Sequence, residues 1–196
     1  MSLFSLDDIK KTHQVKGPSA INIVGSTRYV IGKQHQTIEE LMPELPATGD
    51  AIEFVSNGDW SVHDLLFFAL DKTGPANVYF TTWAISEFAI RQLYTFVYSG
   101  MITNLTGIFD FRNVTHKSAE LKFLQRISPN IRPARIHAKV TVIENDQWAI
   151  TIAGSGNYTR NPRIEIGTIR NSKESVNFHK SWIHGELNSR SSFSIY

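Results

Sequence analysis

Between residues 51 and 127, short apolar runs alternate three times with stretches of helical spacing. This rhythm restricts the fold more than any other feature of the chain. Ala51–Val55 reads as a buried strand. Residues 61–70 read as a helix that Asp59 or Ser61 can cap, 77–81 as a strand, and 84–98 as a helix that stops at Gly100. Residues 105–111 come next as a strand, and Ser118–Ile127 as a helix closed by Ser128-Pro129. Strand–helix–strand units cross over right-handedly and build parallel sheets. Beyond residue 130 the pattern changes. Residues 134–144, 148–153 and 164–169 are strand-like with short connections, and Asn145-Asp146-Gln147 suits a hairpin. Residues 174–186 read as a last helix carrying Trp182. The expected architecture is α/β, a mixed and largely parallel β-sheet flanked by helices in a single domain.

The first fifty residues do not share the rhythm. Residues 1–17 read as a short helix or arm, 20–24 and 28–31 as a hairpin about Gly25-Ser26, and 37–42 as a turn or two of helix ended near Pro43 and Pro46. The aromatics Phe88, Tyr94, Phe96 and Tyr98, with Trp83 just before them, are expected to pack into the core, although they could also offer stacking surfaces for bases.

Composition removes several function classes. The 196 residues include no cysteine, which excludes disulfides, thiolate metal sites and a thiol nucleophile. No apolar run approaches the roughly 18 residues that span a bilayer. The start, MSLFSLDDIKK, lacks the pattern of a secretory signal, so a cytoplasmic location without stable membrane association is expected. The overall net charge of +2 hides an asymmetry: residues 1–111 carry a net −5 and residues 112–196 a net +7. The densest stretch holds Arg112, Lys117, Lys122, Arg126, Arg132, Arg135 and Lys139 against Glu120 alone. Gathered positive charge concentrates polyanions near it.

That basic stretch leads into Ile136-His137-Ala138-Lys139-Val140-Thr141-Val142-Ile143-Glu144. Strand side chains alternate faces, so His137 and Lys139 should project together with Thr141 beside them, while Ile136, Ala138, Val140 and Val142 turn into apolar packing. A lysine supplies a fixed cation, and a histidine can serve as nucleophile, acid or base near neutral pH. The next apolar run ends in Gly154-Ser155-Gly156-Asn157-Tyr158-Thr159. Its glycines let backbone approach a ligand. Ser155, Asn157 and backbone N–H groups could donate to phosphate oxygens. Glu165 lies on the strand after it, where a carboxylate could orient the imidazole.

This constellation resembles the phospholipase D superfamily, whose motif is H-x-K-x4-D followed by G-S-x-N-x-T and then a glutamate. His137 and Lys139 match, Glu144 stands at the aspartate position, and Gly154, Ser155, Asn157, Thr159 and Glu165 complete the pattern. The match is sharp over residues 137–169, while 51–136 agrees in its strand–helix rhythm. The resemblance implies a phospholipase D-like catalytic domain over 51–187, preceded by an extension over 1–50 and followed by a flexible tail over 188–196. It also implies metal-independent phosphodiester hydrolysis through a phosphohistidine, with no cofactor. His137, Lys139, Asn157, Glu165, Ser155 and Glu144 are then the expected catalytic and supporting residues. Gly154, Gly156, Thr159, Arg135 and Arg132 are the expected substrate contacts. The other six histidines do not begin an H-x-K. Because the reaction needs two such histidines, a homodimer with its site on the two-fold axis is expected. The charge layout favours DNA or RNA as substrate. A catalytically silent binding module of the same fold and a lipid or small-molecule phosphodiesterase are the alternatives.

Overall fold

The computed structural model describes residues 24–110, 112, 118–160 and 162–189. Its strands are β1 (Thr27–Ile31), β2 (Ala51–Val55), β3 (Ala76–Thr82), β4 (Ile102–Asp110), β5 (Ile131–Ala134), β6 (Val140–Glu144), β7 (Ala149–Gly154) and β8 (Ile166–Asn171). The helices are α1 (Ile38–Leu41), α2 (Val62–Thr73), α3 (Glu87–Tyr98), α4 (Ser118–Ile127) and α5 (Lys173–Asn188). All strands join one sheet in the order β1-β2-β8-β7-β6-β3-β4-β5. The β1–β2, β3–β4 and β4–β5 pairs are parallel, and the four pairs among β2, β8, β7, β6 and β3 are antiparallel. The mixed α/β sheet read from the sequence is thus present. Six of its strands run one way, and β6 and β8 run against them.

The helices divide between the two faces. Phe80 and Val78 of β3, Ile143 of β6 and Ile152 of β7 point to the side of α2, α3 and α4, where Leu65, Leu66, Ile90, Leu93 and Leu124 complete the main core. Val140 and Val142 point the other way and meet Val176 of α5. Ile108 and Ile136 meet Ile183 of the same helix. The period-two alternation of β6 therefore serves two separate apolar layers.

Local chemistry sets the boundaries. Ser86 caps α3 by accepting from Ala89 N–H at 3.2 Å, and Ser172 caps α5 by accepting from Ser175 N–H at 3.2 Å. The β6–β7 hairpin is an Asx turn, in which the Asn145 side chain accepts from Gln147 N–H at 3.0 Å and Trp148 N–H at 2.9 Å.

The run 28–31 is strand and pairs parallel with β2, while most of its expected hairpin partner, 20–24, falls outside the described residues. β1 extends the sheet, and Ile38 and Met42 enter the main core, so the described part of the first fifty residues belongs to the same body. The run 134–144 is two strands, not one. β5 ends at Ala134, residues 136–139 leave the ladder, and β6 starts at Val140. Pro133 hides β5 from sequence reading, yet β5 is an edge strand, where a residue without an N–H is tolerated. The readings for residues 1–17, for Lys117 and for the tail from residue 190 fall outside the described residues. No helix among the described residues is long and apolar enough to cross a membrane.

Candidate active site

The carboxyl ends of β2, β3, β4 and β7 and the approaches to β6 and β8 all reach the same edge of the sheet. Ligands of open α/β sheets bind at such an edge. The β6–β7 register sets Val140 opposite Ala153, and Gly154 N–H donates to the Lys139 carbonyl at 3.2 Å. The G-S-G-N loop is thereby fixed beside the H-x-K segment.

His137 is exposed and Lys139 is 8% exposed. The Lys139 ammonium lies 3.2 Å from each imidazole nitrogen and donates to the His137 carbonyl at 2.8 Å. Burial lowers the Lys139 pKa from its ordinary 10.5, and the Glu165 charge opposes that shift. Ala138, expected in apolar packing, is exposed, because the segment that carries it has left the sheet.

Asn157 is oriented by the end of β3. Its side-chain oxygen accepts from Ala84 N–H at 3.2 Å and faces the Thr82 hydroxyl at 3.4 Å, which turns the amide nitrogen away from both. Tyr158 anchors the loop from below. It is fully buried and shares a 2.6 Å hydrogen bond with Thr141. Burial pushes its phenol well above the usual range.

The loop glycines are required by packing against protein. A Cβ on Gly154 would stand 2.3 Å from the Ile166 carbonyl oxygen, and one on Gly156 2.8 Å from Val62 Cγ2. Ser155 donates to Glu165 and accepts from Ile166 N–H at 3.0 Å. Glu165 N–H in turn donates to the Ser56 hydroxyl at 3.2 Å. The carboxylate thus holds Ser155 and acts on Lys139 through its charge. Among the described residues it makes no hydrogen bond to His137. A cleft below these groups is lined by Lys139, Gly154, Gly156, Asn157, Thr159 and Glu165 together with Ser61 of the α2 cap.

Two expected residues lie elsewhere. Glu144 ends β6 at the far edge of the sheet, five residues and about 16 Å of strand from Lys139. It is ion-paired there with Lys180 of α5. Arg132 donates to the Glu186 carbonyl at 3.0 Å and packs on α5. Arg135 comes directly after β5 at the site edge and is exposed.

Sequence reasoning missed Asp110. This carboxylate at the end of β4 is 2% exposed. Its Oδ2 accepts from Ile136 N–H at 3.2 Å, and its Oδ1 accepts from Arg112 N–H at 3.2 Å and Arg112 Nε at 2.7 Å. Burial alone would raise its pKa, but these hydrogen bonds and the Arg112 charge hold it below the ordinary 3.8. The residue before His137 is thus tied to β4. An acid ending an apolar strand just before a basic stretch was the available signal. Four of the five aromatics expected in the core are part-exposed, Trp83 at 36%, Phe88 44%, Tyr94 43% and Tyr98 83%, while Phe96 packs against the main core and stacks on Phe67. Trp83 stands beside His137, with ring centroids 5.9 Å apart.

No family model and no curated protein matches the chain. Solved structures do. The phospholipase D family member Nuc from Salmonella typhimurium superposes with a TM-score of 0.55 at 16% identity, over 70% of this chain and 95% of that one. Polyphosphate kinase from Porphyromonas gingivalis gives a TM-score of 0.49 at 15% identity, over 72% of this chain and 27% of the kinase. The chain has the phospholipase D fold, and the residues that resemble that superfamily's H-x-K and G-S-x-N motif meet at one edge of its sheet.

Proposed function

We infer that the chain is a phosphodiesterase that cleaves nucleic acid through a phosphohistidine on His137. The observation that carries this reading is the exposed imidazole with the Lys139 ammonium 3.2 Å from its nitrogens, beside the Asn157 amide. An imidazole can attack phosphorus, and a buried ammonium with an oriented amide can bind the non-bridging oxygens as charge builds on them.

The reaction has two steps. A His137 nitrogen bonds to phosphorus as the bond to the leaving oxygen breaks, and that oxygen takes a proton from the His137 of a second copy of the chain. Water then attacks phosphorus and gives its proton to that second imidazole, and the phosphorus–nitrogen bond breaks. A C2 dimer supplies the second histidine from the same sequence. Lys139 and Asn157 of both copies hold the phosphate oxygens, and Ser155 is kept in place by Glu165.

The test is cleavage of plasmid, single-stranded DNA and RNA in excess EDTA by wild type and His137→Ala, with the mass in solution measured alongside. Cleavage by a wild-type dimer and none by the variant is the expected result. Equal cleavage by both refutes the histidine mechanism. A folded wild type that binds phosphate and cleaves nothing indicates a silent binding module. Turnover of phosphatidyl esters alone indicates a lipid phosphodiesterase.

A further inference from the structure

The face beside His137 carries an aromatic ring and a cation that this chemistry does not use. Trp83 comes directly after β3, and its ring lies 5.9 Å from the imidazole at an interplanar angle of 58°. The Arg112 guanidinium lies over the same indole, its carbon 5.2 Å from the centroid. Arg112 is held at its root, because its Nε donates to the buried Asp110 at 2.7 Å, yet 59% of its side chain faces solvent. A planar cation on an indole face is well placed to present its outer edge to an anion. Laid end to end, the 5.2 Å and 5.9 Å separations put this cation within about 11 Å of the imidazole.

Building on the phosphodiesterase reading of His137, we propose that Trp83 and Arg112 form a subsite for single-stranded nucleic acid. A phosphate neighbouring the scissile one pairs with Arg112, and the unpaired base between them lies on the exposed part of the indole. The six backbone bonds between successive phosphorus atoms let an extended strand with one phosphate on His137 bring its neighbour towards the guanidinium. A substrate with a single phosphodiester has no second phosphate to offer. A duplex keeps its bases in their own stack, out of reach of Trp83. Aromatic side chains beside cations are the usual equipment for holding unpaired bases.

The test reads binding, by fluorescence anisotropy of a short labelled single strand in EDTA, with every variant carrying His137→Ala so that no strand is cut. Arg112→Gln keeps a side-chain amide for Asp110 and removes the charge. It should lower the slope of log affinity against log salt by about 0.7, the contribution of one phosphate on a single strand. Arg112→Lys should restore most of that slope. Arg91→Gln makes the same charge change on the exposed face of α3 and should leave it alone. With Trp83 present, the base-bearing strand should bind about tenfold tighter than its abasic counterpart, and Trp83→Ala should abolish the difference. Melting temperatures of all variants identify any that fail to fold.

An unchanged slope in folded Arg112→Gln overturns the subsite. So does a base preference that survives Trp83→Ala, or a duplex that binds as tightly as the strand. These outcomes are separate from the hydrolysis test. Missing His137-dependent cleavage with the slope change intact removes the hydrolytic reading and leaves a strand-binding surface. Cleavage with an unchanged slope removes the subsite alone.

Discussion

Replacing Asp110 by alanine tests how the His137 segment is held. The carboxylate accepts from Ile136 N–H and twice from Arg112. Loss of the acceptor affects Ile136 and Arg112 differently. The Arg112 side chain is 59% exposed, so water replaces most of its lost bonding and little stability is at stake there. Ile136 is 9% exposed and packs against Ile183 and Ala134, so its N–H is left buried without a partner. An orphaned buried donor costs about 1–3 kcal/mol. For a domain of this size each kcal/mol moves the melting temperature by about 2–4 °C, so a fall of about 2–12 °C is expected. Urea unfolding should show a lower midpoint at an unchanged slope. Because Asp110 has a pKa below 3.8 in the folded protein, its contribution is complete above that value and fades as pH falls through the folded pKa. The stability gap between wild type and Asp110→Ala should therefore hold from neutral pH to about pH 5 and close in stronger acid. Asp110→Asn still offers one oxygen to Ile136 and should recover part of the loss. A gap below about 0.5 kcal/mol at neutral pH, within the range of ordinary surface substitutions, would refute the reasoning. So would a gap that persists unchanged at pH 2.

Five further substitutions probe the two ends of β6 and the loop beside it. Glu165→Gln removes the charge that raises the Lys139 pKa against its burial, so the alkaline fall of kcat/KM should begin at lower pH than in wild type, read from a pH–rate profile. Gly154→Ala forces a methyl onto the Ile166 carbonyl and should cost about 1–3 kcal/mol in denaturant unfolding, more than Gly156→Ala, whose methyl crowds a movable Val62 methyl and otherwise makes ordinary contact with the Glu165 side chain. Tyr158→Phe strips the buried Thr141 hydroxyl of its 2.6 Å partner and should cost about 1–2 kcal/mol by the same measurement. Glu144→Gln breaks the partly buried pair with Lys180 and should lower stability while leaving KM unchanged, because the pair stands at the opposite end of β6.

The parts of the site that the sequence revealed are those whose chemistry is local. His137 and Lys139 are two residues apart, and Gly154, Ser155 and Asn157 fall within four, so spacing alone groups them. The order of strands and helices likewise comes from periodicities confined to short windows. Asp110 was hidden because its partner Ile136 is 26 residues away and joins it only through the pairing of β4 with β5. β5 itself was masked by Pro133, whose missing N–H is harmless because β5 is an edge strand among the described residues. Glu144 shows the opposite error, in which a motif grouped residues that geometry separates. Seven residues of extended chain from His137 span about 23 Å, far more than any side chain reaches. A strand that presents His137 at one edge of the sheet therefore delivers Glu144 to the other, whatever acid occupies the position. What selects a carboxylate there is Lys180 on α5, an ion pair that fastens the last helix across the face of β6. The substitution of glutamate for aspartate thus bears on how α5 is held against the sheet, at the end of β6 opposite His137.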